Sequence, residues 1–240
     1  MSSDSPLQIS NLLLAAMEMR MFVYHENRIP QNTAVVVVSN HRSFMDASVL
    51  MKALGHPLRT ACHHYMGQVP VMREFVHLLG CFPLEEREQR QQSFFKQATE
   101  LLKSHEWVAV FPEGAQPMIK LTQPEKVGKF HRGFAHLAFR TDVCNLAVLP
   151  VAIASYEENV TKAVPLRFLR LFDPSEPLFD QSGWHPMVTY QSVNVLIGHP
   201  YWITPTQREQ YQGKQAKQVI THLTKYCRSQ ITELLAVGCN

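Results

Sequence analysis

The sequence predicts one α/β domain, a mixed and largely parallel sheet flanked by helices, and three observations carry that prediction. Residues 34–39 set four consecutive valines between polar neighbours. A run that is short, β-branched and unbroken reads as a strand buried on both faces. Similar short runs recur along the chain and alternate with helical patterns, the order that builds sheets through crossover connections. Hydrophobic residues make up 45% of the chain and aromatics 10%, enough for a full core.

The elements follow in order. Residues 7–26 read as a helix, with Leu7, Leu12, Leu13, Ala16, Met17, Phe22 and Val23 apolar and Pro30 closing the segment. After the valine strand come a loop, a helix over 47–54 and a strand over 58–62. A helix at 71–79 and a short strand at 81–84 follow. A polar-faced helix over 87–105 precedes a buried strand at 107–111. Residues 128–140 lead into a helix, and 146–154 form a strand. Residues 156–190, with Pro165, Pro174, Pro177 and Pro186, break the alternation and read as an irregular insertion. Residues 193–197 are the last strand. Thr206 is the expected cap of a final helix reaching about Leu235. The domain organisation is thus an N-terminal helical segment (1–30), a core (31–205) and a C-terminal helix (206–240).

Bulk properties exclude several classes. The net charge of +3 is too small for nucleic-acid binding and suits an anionic membrane surface or substrate. Cys62, Cys81, Cys144, Cys227 and Cys239 are odd in number and form no C-x-x-C pair, so they read as free thiols in a reducing compartment. A membrane span needs roughly 20 apolar residues, and no segment reaches that. The expected location is cytoplasmic, with peripheral contact at the cytoplasmic face of a membrane. His41, His63 and His64 lack a Cys or carboxylate at ligand spacing, so no metal is expected.

Chemistry is concentrated at two strand ends. Ser39-Asn40-His41-Arg42-Ser43-Phe44-Met45-Asp46 follows the valine strand directly, and active groups in α/β sheets gather at such carboxyl ends. A hydroxyl nucleophile needs a base near neutral pH, and histidine is the side chain suited to that. An aspartate can hold the ring in one tautomer. Taken alone, the spacing fits equally a loop histidine beside a helix-capping aspartate. Phe111-Pro112-Glu113-Gly114 ends a second buried strand. Such turns present backbone N–H groups to anions, although an ordinary turn with a solvated Glu113 has the same pattern.

Together the two stretches resemble the glycerolipid acyltransferase family, whose founding members acylate lysophosphatidic acid and glycerol phosphate. Its N-H-x4-D signature is matched by Asn40, His41 and Asp46, and its F-P-E-G signature by Phe111 to Gly114. Between them lie Val69-Pro70, Gly80-Cys81-Phe82-Pro83 and Arg87. Phe130-His131-Arg132-Gly133-Phe134, Leu149-Pro150-Val151 and Ile197-Gly198-His199-Pro200 fit the later segments in the family order. The resemblance implies that fold, with His41 as general base and Asp46 as its partner. It places Asn40, Ser43, Arg87, Phe111, Pro112, Glu113 and Gly114 at the substrates. It implies no cofactor beyond a thioester co-substrate, acyl-CoA or acyl carrier protein, and a lipid acceptor as partner.

Departures cluster where the family holds phosphate. Ala115-Gln116-Pro117 stands where T-R-S is usual, His64 where a lysine is common, and Arg87 lies one residue late. Neutral Gln116 cannot replace a charge-assisted arginine contact. Lys120, Lys126, Lys129 and Arg132 are candidate substitutes, Lys129 and Arg132 foremost, and they fit a solvated basic face equally well. A non-phosphate acceptor, thioester hydrolysis and lipid binding remain alternatives. The basic, apolar stretch from Val164 to Phe172 resembles an interfacial anchor or a segment packed on the core.

Overall fold

The computed structural model describes residues 5–62, 64–68, 70–85, 88–114, 116–119, 122–171, 180 and 183–239. Its strands are β1 (Arg20–Tyr24), β2 (Val35–Ser39), β3 (Leu58–Cys62), β4 (Phe82–Pro83), β5 (Trp107–Val110), β6 (Ala147–Pro165), β7 (Trp184–Ile197) and β8 (Tyr201–Trp202). Its helices are α1 (Ser5–Ala16), α2 (Asp46–Leu54), α3 (His64–Gln68), α4 (Pro70–Leu78), α5 (Arg90–Lys103), α6 (Gln116–Ile119), α7 (Gly133–Arg140), α8 (Leu166–Leu169), α9 (Pro205–Gln212) and α10 (Ala216–Gly238).

The described strands make one sheet in the order β1-β7-β6-β2-β5-β3-β4, with β8 against β6. β6, β2, β5, β3 and β4 run parallel, whereas β7 and β8 are antiparallel to β6. The valine strand is central, and all five of its residues are buried. Val36 and Val38 face Leu102 of α5, Leu137 of α7 and Leu223 of α10. Val35 and Val37 face Leu14 of α1 and Leu50 of α2. The alternation of a strand thus divides one valine run between two cores. Each such side chain contributes about 1.5–3 kcal/mol when fully buried.

Three elements differ from the sequence expectation. The N-terminal helix stops at Ala16, not near residue 26. Glu18 takes a left-handed conformation (φ 52°), Met19 N–H donates to Leu14 O at 3.2 Å and Glu18 N–H to Ala15 O at 3.0 Å. That is a Schellman stop. Residues 20–24 then pair in parallel with β7, where Phe22, Val23 and Tyr24 suit a pleated surface better than a helix.

The supposed irregular insertion is largely a hairpin arm. β6 and β7 stay paired from Val151↔Ile197 out to Pro165↔Trp184, with register shifts near Glu157 and Val164. Prolines hid this pattern, yet Pro165 only ends its strand and Pro186 is tolerated opposite Lys162. Pro174 and Pro177 lie outside the described residues.

The C-terminal helix is two helices. Thr204, not Thr206, is the cap. Its hydroxyl accepts from Gln207 N–H at 3.3 Å and Gln207 Oε1 accepts from Thr204 N–H at 3.0 Å, with Pro205 at the first helical position. This capping box starts α9. Gly213 separates α9 from α10.

At the end of β7 the backbone comes close to β6. Gly198 N–H donates to Pro150 O at 2.8 Å, and a β-carbon on Gly198 would stand 2.8 Å from the same oxygen. Gly198→Ala is therefore expected to destabilise the fold by about 1–3 kcal/mol, read as a lower denaturation midpoint in urea. Thr204→Ala should cost about 1 kcal/mol, seen in the same titration.

Candidate active site

Parallel register brings the two motif loops together. Val38 of β2 sits opposite Val110 of β5, so the chain leaving each strand emerges at the same edge of the sheet. On the other side, Ser39 pairs with Val151 of β6. The site is built on these three neighbouring strand ends.

His41 is held on three sides. Its Nδ1 lies 2.7 Å from Asp46 Oδ2. Its ring stacks on Phe111, with centroids 4.2 Å apart and planes 16° from parallel. Its backbone N–H donates to Glu113 Oε1 at 3.3 Å. The imidazole is 18% exposed, while the Asp46 side chain is 1% exposed. Among the described residues no group hydrogen-bonds His41 Nε2.

Asp46 opens α2, where the helix N-terminus favours a negative charge. It does not cap that helix in the usual way. Its carboxylate turns back on the loop, and Oδ2 accepts from Arg42 N–H at 2.7 Å and Ser43 N–H at 2.9 Å. The phenol of Tyr190 donates to Oδ1 at 2.7 Å. Burial, reinforced by the Asp46 charge, pushes the Tyr190 phenol well above its ordinary range, so it stays protonated and donating. A neutral His41 facing this carboxylate carries its proton on Nδ1 and leaves Nε2 basic.

Glu113 is a tie between loops. Beyond its contact with His41 N–H, its Oε2 accepts from Gly128 N–H at 2.5 Å. Burial raises its carboxyl above the usual range, opposed by these two backbone donors. A β-carbon added at Gly128 would lie 2.9 Å from Glu113 Oε2 and would push that carboxylate aside. His131 N–H donates to Pro112 O at 2.8 Å. Residues 128–131 are thereby stitched along the turn, bringing exposed Lys126, Lys129 and Arg132 alongside it.

Several expected substrate contacts are otherwise engaged. Both polar ends of the Asn40 amide go to the backbone of Ile153, at 2.9 Å each. Asn40 therefore anchors the loop to β6. Ser43 Oγ donates to Val188 O at 2.6 Å and accepts from Met45 N–H at 3.1 Å, and its side chain is buried. Gly114 takes the left-handed conformation (φ 68°) that its turn requires, and its N–H donates to Phe111 O at 3.1 Å. That N–H is used by the turn itself rather than offered to an anion. Arg87, Lys120 and Ala115 lie outside the described residues, as does the side chain of His64. Gln116 is exposed at the start of α6.

Three groups were missed by sequence reasoning. Arg42 Nε donates to Glu158 Oε2 at 2.7 Å, a second bond joins Nη2 to Oε1, and Nη1 donates to Thr122 O. Burial alone would lower the Arg42 guanidinium, but Glu158 outweighs it and the net direction is upward. Burial likewise works against the Glu158 charge, and Arg42 overcomes it, holding the carboxyl below its usual range. Arg42 stood within a quoted motif as a charged residue beside a buried strand. Glu158 and Tyr190 lie in the segment read as irregular, where only register reveals them. No group of three His, Cys, Asp or Glu side chains among the described residues could hold a metal.

A family model described as Acyltransferase matches residues 20–154. Two curated chloroplastic 1-acyl-sn-glycerol-3-phosphate acyltransferases are similar over 129 residues, LPAT1 of Arabidopsis thaliana and BAT2 of Brassica napus, both 30% identical. Each alignment covers 53% of this chain and only 34% or 35% of the relative, so the chain spans about a third of their length. The crystal structure of the LPA acyltransferase PlsC from Thermotoga maritima superposes with a TM-score of 0.62 at 18% identity, covering 96% of this chain and 77% of that one. The fold is shared, the family match includes both motif loops, and this chain belongs to the Acyltransferase family.

Proposed function

We propose that the protein transfers a fatty acyl group from a thioester, acyl-CoA or acyl carrier protein, to the hydroxyl of a lysophospholipid such as 1-acyl-glycerol-3-phosphate. The observation that carries this reading is the His41–Asp46 pair at 2.7 Å, with Nε2 unengaged by any described group. The names of the plant relatives and of PlsC support the acceptor class.

The acceptor hydroxyl sits against His41 Nε2, which takes its proton as the oxygen attacks the thioester carbonyl. Asp46 keeps the tautomer and offsets the imidazolium charge. The tetrahedral intermediate collapses, the C–S bond breaks, and the thiol leaves with a proton. Because Gly114, Gly128 and His131 N–H groups are committed within the turn, the oxyanion draws on other donors. Lys126, Lys129 and Arg132, held beside the turn, supply positive charge for an anionic acceptor. Gln116 in place of arginine favours a second reading with a phosphate-free acceptor.

Peripheral membrane contact belongs to the same proposal. No helix among the described residues is long and apolar enough to cross a membrane. Leu166 and Leu169 of α8 turn inward, while Arg167 and Phe168 of α8 and Arg170 and Leu171 just after it are exposed, Arg170 paired with Asp180 at 3.2 Å. Trp184, where β7 begins opposite Pro165, is also exposed. Rings and aliphatics beside arginines suit a bilayer boundary with anionic headgroups.

His41→Ala is expected to lower turnover by about 10²–10⁴ without loss of fold, and Asp46→Asn to fall in the same range. Thiol release from a long-chain acyl-CoA, assayed with lysophosphatidic acid and phosphate-free lipids, tests both; an active His41→Ala protein would sink the reading. Phe168→Ser combined with Leu171→Ser should reduce sedimentation with phosphatidylglycerol vesicles several-fold. Equal sedimentation of the variant and the parent would remove this surface from the proposal.

A further inference from the structure

The loop bearing His41 is indexed by the hairpin arm. Tyr190 of β7 sits opposite Glu158 of β6. Glu158 takes the Arg42 guanidinium. Two residues before Tyr190 on the same strand, Val188 accepts from the Ser43 hydroxyl. The arm therefore grips Arg42, Ser43 and Asp46 from one side.

The grip on Asp46 differs in kind from the other two. Three donors converge on Oδ2: the His41 ring, Arg42 N–H and Ser43 N–H. Among the described residues only Tyr190 donates to Oδ1. The terminal torsion of an aspartate is broad and roughly two-fold. The bonds on Oδ2 set the carboxylate plane only as firmly as that one oxygen is held. A donor on Oδ1 acts at the opposite end of the same torsion, narrows its rocking about the Cβ–Cγ bond and keeps the lone pair aimed at His41 Nδ1. Tyr190 is 2% exposed, and its phenol stays protonated through burial and the Asp46 charge, so its proton is always available to Oδ1.

We infer that Tyr190 is a positioning residue of acyl transfer, its hydroxyl orienting the Asp46 carboxylate so that Oδ2 stays aligned with His41. The inference rests on the acyltransferase reading above. Tyr190 touches neither substrate and acts through Asp46 alone. Its loss therefore weakens the chemical step and leaves acceptor and thioester binding nearly untouched.

The test is a double-mutant cycle of Tyr190→Phe and Asp46→Asn, with kcat and KM measured separately on the folded full chain. Phenylalanine keeps the ring and removes one hydroxyl. Tyr190→Phe is expected to lower kcat about tenfold, the low end for a hydrogen bond to a charged group, with KM within about twofold. In the Asp46→Asn background the same change should cost little more, because the carboxylate it orients is gone. Unchanged kcat, a loss confined to KM, or the same proportional loss in both backgrounds would overturn the inference. So would a Tyr190→Phe chain that does not fold, since Tyr190 would then serve the fold rather than the reaction. An inactive wild type on every acceptor would sink the acyltransferase reading itself. An active wild type with an inactive His41→Ala and an unaffected Tyr190→Phe would sink this inference alone.

Discussion

Four hydrogen bonds onto one buried carboxylate organise this molecule's functional edge. Asp46 is almost wholly removed from water, and an unpaired charge there would be severely costly. Its donors come from the His41 ring, from two backbone N–H groups of the intervening loop and from a phenol on the hairpin arm. The loop cannot change course without stripping one of them away. The four residues between His41 and Asp46 are thus held by the charge they surround. The same arrangement gives a histidine with one nitrogen spoken for and the other left basic.

Glu113 performs a second binding of parts. Its motif invites a catalytic reading, yet both of its oxygens accept from backbone N–H groups, on His41 and on Gly128. It joins the end of β2, the end of β5 and the basic loop beyond. Asn40 does the same toward β6 with an amide. Residues that look like substrate contacts in a motif are here the braces of the loop that carries His41. The side chain stacked flat on His41, Phe111, comes from the same turn.

Much of the fold was legible because its signals are local. Four valines between polar residues can hardly be other than a buried strand, and β2 runs over Val35–Ser39. Each motif was legible as the close of a buried strand, whereas the neighbourhood of the two strands, with Val38 opposite Val110, comes from the register alone. What escaped depends on distance. β1 looks helical until it meets β7. The arm looks irregular because its prolines are visible in sequence and its pairing is not. Tyr190 and Glu158 carry no local mark, for their meaning comes from partners over a hundred positions earlier in the chain. Thr204 lay two residues from the expected cap, and its reciprocal partner Gln207 was the sign that separates it from Thr206.

The placement of β1 bears on how the molecule is made. Arg20 pairs with Ser192 and Tyr24 with Leu196, so this strand leaves the ribosome long before the strand it pairs with. Contacts so far apart in sequence close slowly. Strands β2, β3, β5 and β6 can assemble beforehand, whereas the edge strand must wait, its Met21 and Val23 side chains without the core they later pack against. The arm matures on the same schedule, because Tyr190 arrives only with β7. The nascent chain thus holds its histidine and aspartate long before it holds the part that sets them.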